Sequence, residues 1–282
     1  MSENPIISHA AIKNSLILSG ILIIFLLATS LAGILRPETL YPTTELRNAF
    51  MPNDVINLAI GLPALLLLML QAGRGRVKLL LLWPGAALFV AYNALAYSVA
   101  LTNSPLFGLY LVELLLSLGI IFLLLRATDA AAVKGKVQGK IFEKLTGWVL
   151  LVLGLLILFR NIGVVAGSAG MKPAEIGVMA ADLLSIAAWV SAGICLLGRR
   201  TAGYRMGPAW MFQASLLFLS LLVLMAIQPA FGAPAYAGAD FVVVGVMSLI
   251  CWIPFILQMR AIRRLLDNLE QSPKSFSQQA VV

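Results

Sequence analysis

The stretch FMPNDVINLAIGLPALLLLML, Phe50 to Leu70, decides how this chain is read. After Asp54 it is apolar except for Asn57. Such a run is too long for a core strand and approaches the ~20 apolar residues that a membrane-crossing helix requires. The whole chain has the same character. Apolar residues make up 61% and charged residues 11%, against roughly 45–50% and 25% in soluble domains. Continuous Leu/Ile/Val runs, without short alternating strands, exclude a barrel. The expected fold is an all-α polytopic membrane protein with eight transmembrane helices, at 14–35, 53–71, 78–99, 106–126, 145–167, 174–197, 207–228 and 238–260. The first is read as a retained span, because its apolar core from Leu16 to Leu35 is too long for a signal peptide.

Charge sets the orientation. Lys13, the 74–78 loop, the 126–144 loop, the 199–205 loop and the segment after Met259 hold 16 of the 20 basic residues. With eight spans, all of these fall on one face. The positive-inside rule then puts both termini in the cytoplasm. The same distribution accounts for the net charge of +8 without nucleic acid, for which no basic-aromatic module is present. Cys195 and Cys251 lie in apolar runs and read as free thiols. His9 is the only histidine, which argues against a haem-carrying bundle. No metal or cofactor is implied.

The chain divides into a first half (1–126), a small, polar and basic linker (127–144), a second half (145–262) and a polar tail (263–282). Residues 263–270 of the tail are able to extend span 8. The halves overlay. DVINLAIGLPALLLLMLQAGRGR from Asp54 compares with DLLSIAAWVSAGICLLGRR from Asp182. Each opens with an acid, carries a polar residue three positions on, and closes at a Gly/Arg turn. Pro84 follows Arg76 by eight residues, as Pro208 follows Arg200. The expectation is a 4+4 internal repeat. An even number of spans per half makes it a parallel repeat, about an axis along the membrane normal.

The landmarks LFRNIG, KPAEIGVMAAD and GRRTAGYRMGP together resemble uncharacterised bacterial multi-spanning membrane proteins with four-helix repeats, best over 145–230. The resemblance implies a bacterial inner-membrane location and carries no activity.

Depth at about 1.5 Å per residue then sorts the polar residues. Glu113 lies seven residues into span 4, with Tyr110 on the same helix face. Asn93 and Tyr97 ascend span 3 to a similar level. Arg160 and Asn161 reach the outer third of span 5. Asp182 lies nine residues beyond Pro173, a favoured first-turn residue. These seven are expected to line an outward-facing cavity around Glu113, with Asp54 and Asn57 near its rim. Asp54 reads as a helix-start acid, with Arg36 as a pairing partner. An Arg160–Asp182 bridge locking two helices is the plainer reading of that pair. An unpaired charge at the depth of Glu113 costs about 2.5 kcal/mol or more, so Glu113 needs a partner, a proton or water.

Three function classes follow. The leading one is a carrier or binding protein for a small molecule or ion. Close behind is a non-catalytic membrane subunit or sensor. It would assemble with a membrane-protein partner or with its own copies through the Gly/Ala/Ser faces of spans 5 to 7. A lipid- or quinone-modifying enzyme stands third. No intramembrane histidine, metal spacing or GxSxG supports it, and no catalytic residue is assigned.

Overall fold

The computed structural model describes residues 9–74, 77–139, 142–167 and 170–278. Arg76, Lys140 and the last four residues of the expected tail lie outside the described residues, as do the side chains of Lys78, Lys136, Arg263, Arg264 and Lys274. The described chain is helical throughout. Its helices are α1 (His9–Leu35), α2 (Pro37–Leu40), α3 (Thr44–Ile56), α4 (Leu62–Gly73), α5 (Val77–Leu80), α6 (Trp83–Ala100), α7 (Phe107–Ala127), α8 (Ala130–Val137), α9 (Glu143–Gly167), α10 (Pro173–Leu197), α11 (Thr201–Ile227) and α12 (Gly238–Gln278). Among the described residues, seven helical segments are long and apolar enough to cross a membrane. These are α1, the α3–α4 rod, α7, α9, α10, α11 with the short turn after it, and α12 as far as Ile262.

The opening stretch behaves differently from its expectation. The helix starts at Thr44, where the Thr43 hydroxyl caps it by accepting from Leu46 N (3.2 Å). Asp54 is therefore ten residues inside a helix, and does not open one. The cause is local: Thr43 supplies the cap eleven residues before Asp54. α3 continues into α4 through one π turn, Asn57–Gly61, in which Leu62 N donates to Asn57 O. Pro63 explains the wide turn. It has no N–H to give to Ala59, so the ladder widens above it without breaking.

α6 was expected as a span from 78. Instead Val77–Leu80 forms a separate short turn of helix, and α6 begins at Trp83 with Pro84 in its first turn. It has only eighteen residues, rich in Ala, Gly, Tyr and Asn, and it is not among the seven. It is nonetheless the central element. All its residues except Tyr92, Leu95 and Val99 are buried, and it packs on α3, α4, α7, α10 and α11. Its N-terminal end is tied to α1 by Trp83 Nε1 donating to Ser19 Oγ (3.1 Å). Near its C-terminal end, Tyr97 donates to Asp54 Oδ1 (2.8 Å), and Asp54 lies directly on Gly33 of α1.

Small residues set the helix approaches. A Cβ on Gly85 of α6 would land on the Ala209 carbonyl of α11. One on Gly177 of α10 would land on the Ala96 carbonyl of α6. Gly147 and Gly193 bring α9 and α10 together, while Gly203 and Gly207 do the same for α10 and α11. In lipid, where apolar surface gains nothing by leaving its solvent, such close packing is what holds helices together. The small faces of spans 5 to 7 are thus used within the molecule. Residues 130–137 of the linker form α8. Asp129 caps α8, and Val133 and Val137, one turn apart, pack against Leu81, Tyr204 and Ile262. α12 remains helical to Gln278, eight residues past the expected extension.

Gly85→Ala should cost about 1–3 kcal/mol of unfolding free energy through overpacking. Gly163→Ala, facing open space on α9, should be neutral or slightly stabilising. Equal effects in denaturation from detergent would remove the α6–α11 approach as a determinant of stability.

Candidate functional site

The candidate residues resolve into three clusters. The first surrounds Asp54, which is buried and accepts hydrogen bonds from Tyr97 and, at 2.5 Å, from Tyr41. These tyrosines replace Arg36 as its partners. Tyr41 lies in the connection between α2 and α3, outside the crossing helices. Burial first, and then the Asp54 carboxylate beside it, push its phenol well above the ordinary value, so it stays a donor at physiological pH. Gly33 makes room for the carboxylate, since a Cβ there would collide with it. The cluster continues through amides. Asn53 Nδ2 donates to Tyr97 Oη and Asn93 Oδ1 (both 3.2 Å), and Asn93 Nδ2 donates to Asn57 Oδ1 (3.0 Å). Tyr110 packs its ring, tilted by 44°, on Tyr97 with centroids 4.9 Å apart and buries its hydroxyl beside Tyr41 and Asp54.

The second cluster holds Glu113. Its Oε1 lies 2.7 Å from the Thr29 hydroxyl of α1. Thr29 also reaches back to Phe25 O (3.0 Å). Ser117, one turn along α7, is buried with no hydrogen-bond partner for its hydroxyl. This pairing closes the seam between α1 and α7.

The third cluster joins the halves. Tyr92 of α6 donates to Asp182 Oδ1 of α10 (3.0 Å). Arg160 Nη1 of α9 lies 3.3 Å from both Asp182 Oδ2 and Asn161 Oδ1. The Arg160–Asp182 bridge expected from the sequence is present, but its members differ in exposure: the Arg160 side chain is 61% exposed and that of Asp182 5%.

Beside this third cluster lies a cavity of about 680 Å³. Its walls come from α3, α6, α9, α10, α11 and α12. Asn53, Tyr92 and Asn93 face it from one side, Arg160 and Asp182 from the other, over an apolar floor that includes Phe89, Leu217 and Phe218. Of the nine candidates, Asn93, Arg160 and Asp182 line it. Asp54, Asn57, Tyr97, Tyr110, Glu113 and Asn161 do not, and Glu113 lies across the bundle at the α1–α7 seam. Among the described residues no group of three or more His, Cys, Asp or Glu is placed to hold a metal. Cys195 and Cys251 are free.

Sequence reading missed Thr29, Tyr41, Asn53, Tyr92 and Gln213. Gln213 accepts from Trp189 Nε1 (2.6 Å) and donates to Ser185 Oγ (3.3 Å), all buried. Asn53 carried a usable signal, standing one turn before Asn57 on the same helix. Tyr92 carried none, because its neighbour Asn93 points at a different helix. No family model, curated protein or solved structure matches this chain.

Asp54→Asn and Tyr97→Phe, made singly and together, should show a coupling of about 0.5–1.5 kcal/mol, the net worth of a hydrogen bond. Strictly additive losses in a double-mutant unfolding cycle would mean that this bond carries no stability.

Proposed function

We propose that this is a multi-pass membrane protein that binds or carries a small molecule or ion in an outward-facing cavity between two four-helix halves. The carrying observation is the 680 Å³ cavity walled by both halves, with one partly free cation on its side. Its volume falls within the ~300–1,000 Å³ range of ligand pockets, and its few polar groups over apolar walls fit the same description.

In this reading α6 is the eighth crossing. Trp83 and Tyr97 are fourteen residues apart, as are the α1 positions Ser19, bonded to Trp83, and Gly33, which meets Tyr97 through Asp54. The two helices then traverse the same slab of about 21 Å. Eight crossings leave both termini on the side rich in Lys and Arg.

The repeat is supported in the same way. Aligning Pro84 with Pro208 makes Gly85 the counterpart of Ala209, and these two residues touch. Counterparts touching each other is what a two-fold axis between α6 and α11 requires. Glu113 has its place in the α1–α7 seam, outside the binding site.

Ser220 is buried on the cavity wall. A molecule co-purifying with the protein from native membranes should be lost in Ser220→Phe and kept in Glu113→Gln, as read by mass spectrometry. Retention in Ser220→Phe would sink the cavity as the site. Tag accessibility in intact cells should find both termini inside; a terminus outside would end the eight-crossing topology.

A further inference from the structure

The two halves treat equivalent seams differently. In the order of the repeat, α9 corresponds to α1 and α12 to α7. α1 and α7 are closed on each other, with Thr29 bonded to Glu113 and Leu18 against Gly119. α9 and α12 instead touch over only part of their length, and elsewhere the cavity lies between them, lined by Ile157, Arg160 and Val164 of one and Asp240 and Val244 of the other. Leu221, on the inner helix α11, is 36% exposed through this gap. The outer surfaces flanking it, including Phe159, Ile162, Val243 and Val246, are exposed and apolar, as a lipid-facing surface is. The gap therefore opens toward the bilayer.

The charges are ordered along the cavity. Glu175 and Asp240 lie in the first turns of α10 and α12, exposed at the outer mouth. Arg160 lies seven residues inside the end of α9, about 10 Å deeper. Its Nη1 is committed to Asp182 and Asn161. Among the described residues its Nε and Nη2 form no hydrogen bond. A guanidinium with free donors matches a carboxylate or phosphate. The mouth acids repel such an anion arriving from water, whereas a path through the gap at the level of Val244, one turn or about 6 Å beyond Asp240, runs below them.

We propose that the cavity takes a membrane-dissolved anionic amphiphile, a carboxylate or phosphate head on one apolar chain, which enters sideways between α9 and α12 and sets its head on Arg160. This rests on the cavity being the binding site.

The test uses the full-length protein in neutral phospholipid nanodiscs. The probes are a spin-labelled long-chain fatty acid, the same chain as a phosphate monoester, an alcohol and an amine, and a short water-soluble carboxylate. The carboxylate or phosphate chain should bind saturably, and the stronger of the two identifies the head. Arg160→Gln should weaken it roughly 10- to 100-fold, the worth of hydrogen bonds to a charged group. Arg160→Lys should restore part of the loss. Because Arg160→Gln leaves Asp182 without its cation, the double variant Arg160→Gln, Asp182→Asn is measured beside it and should bind as weakly. Leu221→Trp, which fills the gap, should slow binding of the chain and leave the melting temperature intact.

Equal binding of alcohol or amine, or unchanged affinity in both Arg160 variants, overturns the proposal. Arg160-dependent binding of the short carboxylate alone overturns the amphiphile and its lateral path but leaves the cavity reading standing. Binding of the chain that is unaffected by Arg160 and by Ser220→Phe removes both.

Discussion

Helices in lipid are not pressed together by the hydrophobic effect, so a bundle of this kind depends on how closely its members can approach. The approach that matters most is that of α6 to its neighbours. Eighteen residues with Ala or Gly at seven positions make a thin rod, and four or more helices lean on it. Gly85 lets the backbone of α11 touch it, and its own Ala96 carbonyl receives Gly177 of α10. The modest hydropathy that leaves α6 outside the seven follows from this role. A helix that never meets lipid has no need of Leu and Ile on its surface, and it can afford Asn93, Tyr92 and Tyr97 as links to the helices around it.

Those links obey a second constraint. A buried carboxyl left without a partner costs several kcal/mol, because no water is at hand to supply one. Asp54 is held by two phenols, and Asp182 by a phenol and a guanidinium. The two acids solve the same problem with different partners. Only the second solution leaves a charge exposed to a cavity, which is why chemistry is sought there and not at Asp54.

The residues differed in how legible they were. Membrane character, the helical class and the start of α10 at Pro173 could be read directly, because composition and proline placement are local signals. The Arg160–Asp182 pair could be read too, since both fall at one depth on consecutive helices. What failed was azimuth. Depth along a helix follows from counting, but which way a side chain faces depends on neighbours that counting does not reveal. Glu113 and Arg160 share a layer, yet one faces α1 and the other the α9–α12 gap. Likewise Tyr92 and Asn93 are adjacent in sequence and serve different halves. The start of the α3 helix was missed because the polar residues Thr43 to Asn48 look like a loop until Thr43 is recognised as a cap.

The π turn at Asn57–Gly61 has a consequence for how the α3–α4 rod can be one helix at all. Its buried stripe runs Leu46, Phe50, Asp54, Asn57, Gly61, Leu65, Leu68, Ala72. That is seven steps over 26 residues, a slightly longer period than the 3.6 of an α-helix. In an unbroken helix the stripe would wander about 80° around the rod between its ends. One wide turn absorbs a single residue, about 100°, and brings the far end back to within roughly 20° of the near one. The rod therefore keeps its phase because it is irregular at one place, and the same buried face serves Asp54 in its first half and Ala72 at its far end.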